Sequence, residues 1–382
     1  MACTICNSKE FIFNETFNDY PLTNIYADEC CEAEKYSYDI EICQCKCGHV
    51  FGNSKYSNFY TDLYPYNGKA PGVQVRRNIG IAMLQQHITT KNLNAVVDIG
   101  GGQLEMVRET IKHWNVARKI VIDPVPLKDD TEVTDNIEFY NEYFNGKSFQ
   151  IKKNDIPSLY ILDNVLEHIQ NLDEFLQGIT ECSNFGDYVY VCVPSRELIT
   201  NKLQFQEIIH EHVNYFSLGS LEQLFGRYGF HQVIAFCDSS GHRGYNYHLF
   251  VRNNSHVETL KESILNFSPA FNRYKTLLDV TLSQIDSIGC DIYGVCASEL
   301  TPTLAYHMQS DFSFCRYIMD TSPHKLNKYM PKVKSKIVTM DDISKLPKDA
   351  YYFVTAPTIA KYVLPNLNKY AVQNIILPIG IF

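Results

Sequence analysis

Three groups of residues in this chain have types and spacings that can do chemistry. In the stretch IIHEHVNYFS, Glu211 stands between His210 and His212, with Tyr215 and Phe216 just behind. Imidazole titrates near neutral pH, and an adjacent carboxylate fixes its tautomer and raises its basicity, so the triplet reads as an acid/base site; the competing reading is a solvated turn. A second group is sulfur. Seven of the 13 cysteines fall in the first 47 residues: CTIC sets Cys3 and Cys6 as a C-x2-C pair, and CQCKCG carries Cys43, Cys45 and Cys47 ahead of Gly48. Two such groups make a tetrahedral zinc site, structural because four thiolates leave no position for water. Cys3, Cys6 and Cys47 supply three ligands and Cys43 or Cys45 the fourth; Gln44 stands where a strict C-x2-C pair would need a thiol, and Cys43 is preferred. The competing reading is a small core of reduced, unliganded cysteines. The third group is NAVVDIGGG, with Asp98 and Gly100, Gly101 and Gly102, joined by Asp123 in KIVIDP and Asp163 in SLYILDNV.

These groups need elements to position them. NAVVDI, KIVID and SLYILD are short apolar runs that end in acids, and QLEMVRETIKHW and NVLEHI follow them with helical period. Strand and helix in alternation predict a doubly wound parallel sheet, whose ligands sit beyond the carboxyl ends of the strands, where the three acids and the glycines fall. A carboxylate at the second strand end suits a ribose diol; a glycine loop alone is shared with nicotinamide and flavin enzymes. Three segments are expected: residues 1–75, short, turn-rich and rich in Tyr and Cys; 76–254, the sheet just described; and 255–382, where CDIYGVCASELTPTLAYHM, FCRYIMDTSPHK and DAYYFVTAP repeat the strand-to-helix order as a second, smaller α/β unit.

With 382 residues, 45% hydrophobic and 20% charged, the chain can bury substantial cores. A net charge of −9 without a basic block argues against a nucleic-acid surface and for a small-molecule substrate. The start MACTICNSKEF lacks a basic leader with an apolar core, and no run approaches a membrane span of roughly 20 apolar residues. A cytoplasmic protein without membrane or nucleic-acid partners is expected.

Taken in order, the motifs resemble the three-domain, zinc-containing nucleotide-sugar C-methyltransferases, which use S-adenosylmethionine on 4-keto deoxysugars. The likeness covers nearly the whole chain: the cysteine knuckles, FNDYPLTNIY, LYPYNG, VVDIGGG, NVLEHIQNLDEFL, HEHVNYFSLGSLEQLF, YGVCAS and IMDTSPHKLNKYMP. The resemblance implies an α/β fold with a small amino-terminal zinc-binding domain, a central class I methyltransferase (Rossmann-like) domain and a carboxyl-terminal Rossmann-like domain. It implies S-adenosylmethionine held by Asp98, Gly100, Gly101, Gly102, Asp123, Asp163 and Asn164, and a nucleotide-linked keto sugar as substrate. The reaction removes the proton from the carbon beside the ketone, and the resulting enolate attacks the sulfonium methyl. His212 is the candidate base, Glu211 its orienting partner, and His168, Tyr64 and Tyr66 candidate acids or donors to the enolate oxygen.

The sequence departs from the family at three places. Ile209 replaces a Tyr before the triplet, GHRGYNYHLFV brings His242, Arg243 and Tyr245 where a smaller run is usual, and Leu104 stands at the last glycine of the cofactor loop. The same base without methyl transfer would make an epimerase, and a chain with degenerate loops would be a zinc-containing assembly module.

Overall fold

The computed structural model describes residues 2–56, 71–128, 131–147, 149–152, 154–240, 244–253 and 265–379. Three sheets organise them. The first is antiparallel: β1 (Phe11–Pro21), β2 (Ser37–Cys45) and β3 (Val50–Ser54) form a meander. Its fourth strand, β9 (Asn214–Tyr215), arrives from about 160 residues later and pairs Val50 with Tyr215 and Phe51 with Asn214. The amino-terminal sheet is thus completed by the segment that follows the His-Glu-His triplet.

The second sheet contains β4 (Asn92–Ile99), β5 (Asn115–Ile122), β6 (Ile137–Tyr140), β7 (Leu159–Asp163), β8 (Tyr188–Pro194), β10 (Phe230–Asp238) and β11 (Tyr245–Arg252). Its order is β10-β11-β8-β7-β4-β5-β6, with β11 antiparallel to both neighbours and β4 to β8 parallel throughout. This is the class I methyltransferase sheet. The apolar runs are continuous because both faces are covered: Ala95, Val97 and Ile99 pack on one side with Leu176, Ile179 and Leu221, and Val96 on the other with Met83, Leu84 and Val107. The helix Pro71–His87, which supplies Met83 and Leu84, straddles the boundary expected at residue 75. Its Gly80 lies over Tyr190, where a Cβ would come within 2.2 Å of the phenol oxygen.

The third sheet contains β12 (Ile292–Val295), β13 (Cys315–Asp320), β14 (Ile337–Thr339), β15 (Tyr351–Val354) and β16 (Asn374–Ile376), all parallel, in the order β14-β13-β12-β15-β16. The sheet order reverses direction at β12, so this unit is Rossmann-like as well. The 20-residue helix Phe267–Asp286 leads into it and buries Phe271, Tyr274 and Leu278 on one face.

One apolar cluster joins all three parts, with Phe17, Tyr20 and Ile40 from the first sheet, Phe205 and Ile208 from the middle segment, and Phe271, Leu304 and Ala305 from the last. At its edge Gln44, fully buried, donates through Nε2 to Leu265 O at 2.7 Å and accepts at Oε1 from Phe267 N at 2.9 Å. Arg196 Nη1 donates to Gly48 O and Leu265 O at 3.3 and 3.2 Å. The Gln that interrupts the cysteine spacing therefore anchors the start of the long helix. Among the described residues, no helix is long and apolar enough to cross a membrane.

Three buried histidines are held in their neutral form, two of them at this junction and one within the central sheet. His210 donates from Nε2 to Tyr20 O at 2.9 Å and accepts at Nδ1 from the Ser54 hydroxyl at 2.7 Å. His307 meets the Tyr20 hydroxyl at 3.1 Å, and His248 lies on β11 beside Gln232 at 3.0 Å. Burial pushes the three pKa values down, to about 4, about 3 and about 3. In the unfolded chain they rise to about 6.5. The stability these groups confer is therefore complete above about pH 6.5 and is lost as pH falls toward 4, at up to about 1.4 kcal/mol per unit for each. The melting temperature should drop by more than about 5 °C between pH 7.5 and pH 5; an unchanged value by calorimetry would exclude neutral burial of these rings.

Candidate functional site

The carboxyl ends of β4, β5 and β7 lie side by side, and the glycine turn follows the first of them. Gly100 (φ +71°) and Gly102 (φ +54°) take the left-handed conformation. At Gly100 a Cβ would lie 2.6 Å from Val165 Cγ2, so this turn and the one after β7 are in contact. Asp98 accepts at Oδ2 from Val107 N at 3.1 Å, tying the strand to the helix Glu105–Ile111; burial, and next the charge of Asp163, push its carboxyl well up. Leu104, at the last glycine position, has φ +73° and is fully buried. The chain keeps the backbone that glycine would give, at a strain of roughly 1–2 kcal/mol.

Asp123 accepts at Oδ2 from Gly102 N and at Oδ1 from Val125 N, both at 2.8 Å. Burial raises its pKa, and the two backbone donors pull it back down. Each carboxylate oxygen has a second lone pair, so the group can hold the turn and still accept from a diol. Asp163 accepts at Oδ2 from Arg76 Nη2 at 3.0 Å in an ion pair whose two side chains are 10% and 9% exposed. The buried Asp163 Oδ1 and Asn164 Oδ1 make no hydrogen bond with the described residues. A glycine turn, a strand-end carboxylate and two buried acceptors without partners among the described residues fit a nucleoside donor with an ammonium-bearing tail, as S-adenosylmethionine is.

The 3-10 turn Leu166–His168 carries β7 onward to the histidines. His168 Nδ1 donates to Glu211 O at 2.9 Å; a carbonyl can only accept, so Nδ1 bears the proton and Nε2 is the basic nitrogen of the neutral ring. Burial lowers its pKa to about 4. The His212 ring packs edge-on against it, centroids 5.0 Å apart, and the buried Glu167 carboxylate is 4.0 Å from His168 Nε2. One polar atom from each of Glu167, His168 and His212 lies within 4.8 Å of the others. The triplet therefore splits. His210 is committed to Ser54 and Tyr20, the Glu211 carboxylate accepts from the Thr23 hydroxyl at 2.9 Å, and His212 faces His168. The Tyr215 hydroxyl bonds Ile209 N and O at 3.1 and 3.3 Å, closing the turn from behind.

The sulfurs of Cys3, Cys6, Cys45 and Cys47 lie within 4.8 Å of one another, with Cys3–Cys47 at 3.6 Å and Cys6–Cys45 at 3.4 Å. Zn–S bonds of about 2.3 Å in a tetrahedron put the sulfurs about 3.8 Å apart, so the set fits zinc. Cys47 is pushed down to about 5, chiefly by hydrogen bonding from Cys3, and Cys45 up to about 11, chiefly by burial. The sulfur that completes the cluster is that of Cys45 and not that of Cys43, the residue preferred from the sequence. Cys43 lies two residues back along β2, roughly 6.6 Å at strand rise, with its thiol on Asn14 Oδ1 at 3.5 Å. Cys45 sits at the turn itself, where Gly48 N and His49 O close the loop on it.

Tyr64, Tyr66, His242 and Arg243 lie outside the described residues. The remaining sequence candidates fall into the strand-end group, the histidine group and the cysteine group. Arg76, Glu167 and Asn214 were not legible as site residues: Arg76 stands in no motif, and Glu167 and Asn214, inside NVLEHI and HEHVNYFS, have no spacing that signals their partners. A groove of about 740 Å³ flanked by Arg77, Arg108, Lys112 and Trp114 runs beside the helix Glu105–Ile111, and none of the strand-end or histidine candidates lines it.

Residues 74–234 match a methyltransferase domain and residues 252–379 a C-methyltransferase C-terminal domain. No match was found among curated proteins. Among solved structures, a complex between the Haloferax volcanii Trm112 methyltransferase activator and a methyltransferase is 15% identical, covering 50% of this chain and 96% of that one, TM-score 0.40. The N-methyltransferase NodS from Bradyrhizobium japonicum WM9 in complex with S-adenosyl-L-homocysteine is 12% identical over 51% of this chain and 99% of that one, TM-score 0.38. The 1,6-didemethyltoxoflavin-N1-methyltransferase of Burkholderia thailandensis is 11% identical over 47% and 79%, TM-score 0.36.

The cysteine geometry sets a direct test. Purified protein should hold about one zinc per chain. Cys45→Ser should lose the metal and lower the melting temperature, whereas Cys43→Ser should keep both; metal retained in the first variant and lost in the second would restore Cys43 to the site.

Proposed function

We propose that this chain, in which a methyltransferase domain is followed by a C-methyltransferase C-terminal domain, methylates the carbon beside the ketone of a nucleotide-linked 4-keto deoxysugar. S-adenosylmethionine supplies the methyl group as an electrophile. Asp98, Gly100, Gly101 and Gly102 shape its site, Asp123 accepts from the ribose hydroxyls, and Asp163 and Asn164 complete the far wall. The observation that carries the reading is the His168–His212 pair, which one short turn connects to the strand end bearing Asp163.

Carbon methylation next to a ketone needs a base, and the pair supplies one held against water. In this reading His212 takes the proton. His168, neutral at pH 7 and fixed in its tautomer by Glu211 O, packs against it and limits its rotation. The buried carboxylate of Glu167 favours the imidazolium that results. Glu211 acts through its backbone carbonyl on His168, while its side chain, tied to Thr23, fastens the turn to the amino-terminal sheet. Tyr64 and Tyr66 are the proposed donors to the enolate oxygen, a role that Ile209 has no group to fill. A zinc ion on Cys3, Cys6, Cys45 and Cys47 has a structural part: Thr4, inside the first knuckle, donates to Asn214 two residues from the base.

The reading is tested with nucleotide-linked 4-keto deoxysugar in deuterium oxide, with and without the methyl donor. The parent protein should exchange the proton beside the ketone without donor and form C-methylated product with it. His212→Asn should keep donor affinity and lose both reactions by roughly 10²- to 10⁴-fold. Exchange at the parent rate in that variant would remove His212 as the base, and exchange without methylated product in the parent would make the protein an epimerase.

A further inference from the structure

Arg76 belongs to no motif, yet its charged side chain is buried, with 9% of it exposed. It rises from the helix Pro71–His87, its guanidinium lies 5.1 Å above the Tyr245 ring, and its backbone carbonyl accepts from the Tyr247 hydroxyl at 3.2 Å. These contacts fix where its fork points, and the fork meets one oxygen of Asp163. Desolvating an arginine and an aspartate is costly, and an apolar pair of similar volume is often as stable, so stability alone gives little reason for such a pair. The other Asp163 oxygen and the neighbouring Asn164 Oδ1 are both buried, and neither has a hydrogen-bond partner among the described residues. Asn164 has φ +61°, a left-handed backbone that Asn tolerates better than most residues and that turns the chain sharply after β7. Val165, next in line, touches Gly100 of the glycine turn.

We propose that Arg76 is a positioning residue of the donor site: by holding one Asp163 oxygen it turns the other, together with Asn164 Oδ1, into an acceptor pair for the ammonium group on the amino-acid tail of the methyl donor. The chemistry matches in hydrogen-bonding role and in sign. An ammonium brings three N–H donors and a positive charge, and the two orphaned oxygens are acceptors, one of them on a carboxylate. Arg76 offsets part of the negative charge that Asp98, Asp123 and Asp163 concentrate at the three strand ends. The ribose is left to Asp123. In this arrangement the tail and the nucleoside are read by different strands, β7 and β5.

The inference rests on the donor reading above, and two thioether nucleosides separate them. S-adenosylhomocysteine carries the ammonium; 5′-methylthioadenosine has the same nucleoside and thioether but no amino-acid tail. By calorimetry the parent should bind the first much more tightly than the second. Arg76→Met and Asn164→Gly, the latter keeping the left-handed backbone, should each weaken S-adenosylhomocysteine by about ten- to a hundredfold and leave 5′-methylthioadenosine unchanged. Arg76→Lys, which keeps the charge but not the fork, should recover part of the loss. Equal weakening of both ligands, or of neither, would overturn the assignment. Should Arg76→Met fail to fold, Asn164→Gly with Arg76→Lys still decides it. A parent that binds neither ligand would overturn the donor reading itself.

Discussion

The side-chain amide of Asn214 is the tie on which the arrangement of this protein depends. It is almost fully buried, and each of its hydrogen-bonding positions is taken: Nδ2 donates to Leu166 O at 3.4 Å and Ile169 O at 2.8 Å, and Oδ1 accepts from the Thr4 hydroxyl at 2.9 Å and His49 Nε2 at 3.3 Å. Those partners belong to the turn that carries His168, to the first cysteine knuckle and to the loop before β3. A buried polar group left unpaired costs about 1–3 kcal/mol, and loosening this amide would strand several at once. Because Asn214 also begins β9, the same residue adds a strand to the amino-terminal sheet and sets the distance between His212 and His168. The cysteine cluster and the histidine pair are thus two ends of one hydrogen-bonded unit.

The strand-end site shows how a concentration of acids is made tolerable. Asp98 is spent on the helix Glu105–Ile111, Asp123 on the glycine turn, and Asp163 on Arg76. Each carboxylate has a defined partner, so the turn is preorganised before any ligand arrives, and little ordering remains to oppose binding. Leu104 belongs to the same logic. Its left-handed backbone is strained, but its side chain is buried in the core that backs the turn, and the burial offsets the strain.

The carboxyl-terminal unit is bound to the rest through the aromatic cluster around Tyr20, Phe271 and His307 and through Gln44 and Arg196. These links make the first sheet a wedge that touches both Rossmann-like units. The neutral histidines in that wedge favour the assembled form at neutral pH, where their desolvation carries no charge penalty.

What the sequence determined by itself was local in origin. Apolar runs ending in acids fixed the central sheet and the strand-end position of Asp98, Asp123 and Asp163, because strand periodicity and chain connectivity permit few other layouts. Glycines 100 to 102 marked their turn, and Cys3, Cys6 and Cys47 marked the sulfur cluster, for the same reason: backbone freedom and short-range spacing are properties of a few adjacent residues. What tertiary structure decided was direction. Cys43 and Cys45 are interchangeable in spacing, and only the turn closed by Gly48 and His49 aims Cys45 at the other sulfurs. His210 and His212 look equivalent in the triplet, but their rings meet different neighbours, one Ser54 and Tyr20, the other His168. Arg76 and Asp163 are 87 residues apart and carry no common motif. Such pairings arise when segments distant along the chain pack in one register, and the side chains of a register face partners that no single segment encodes.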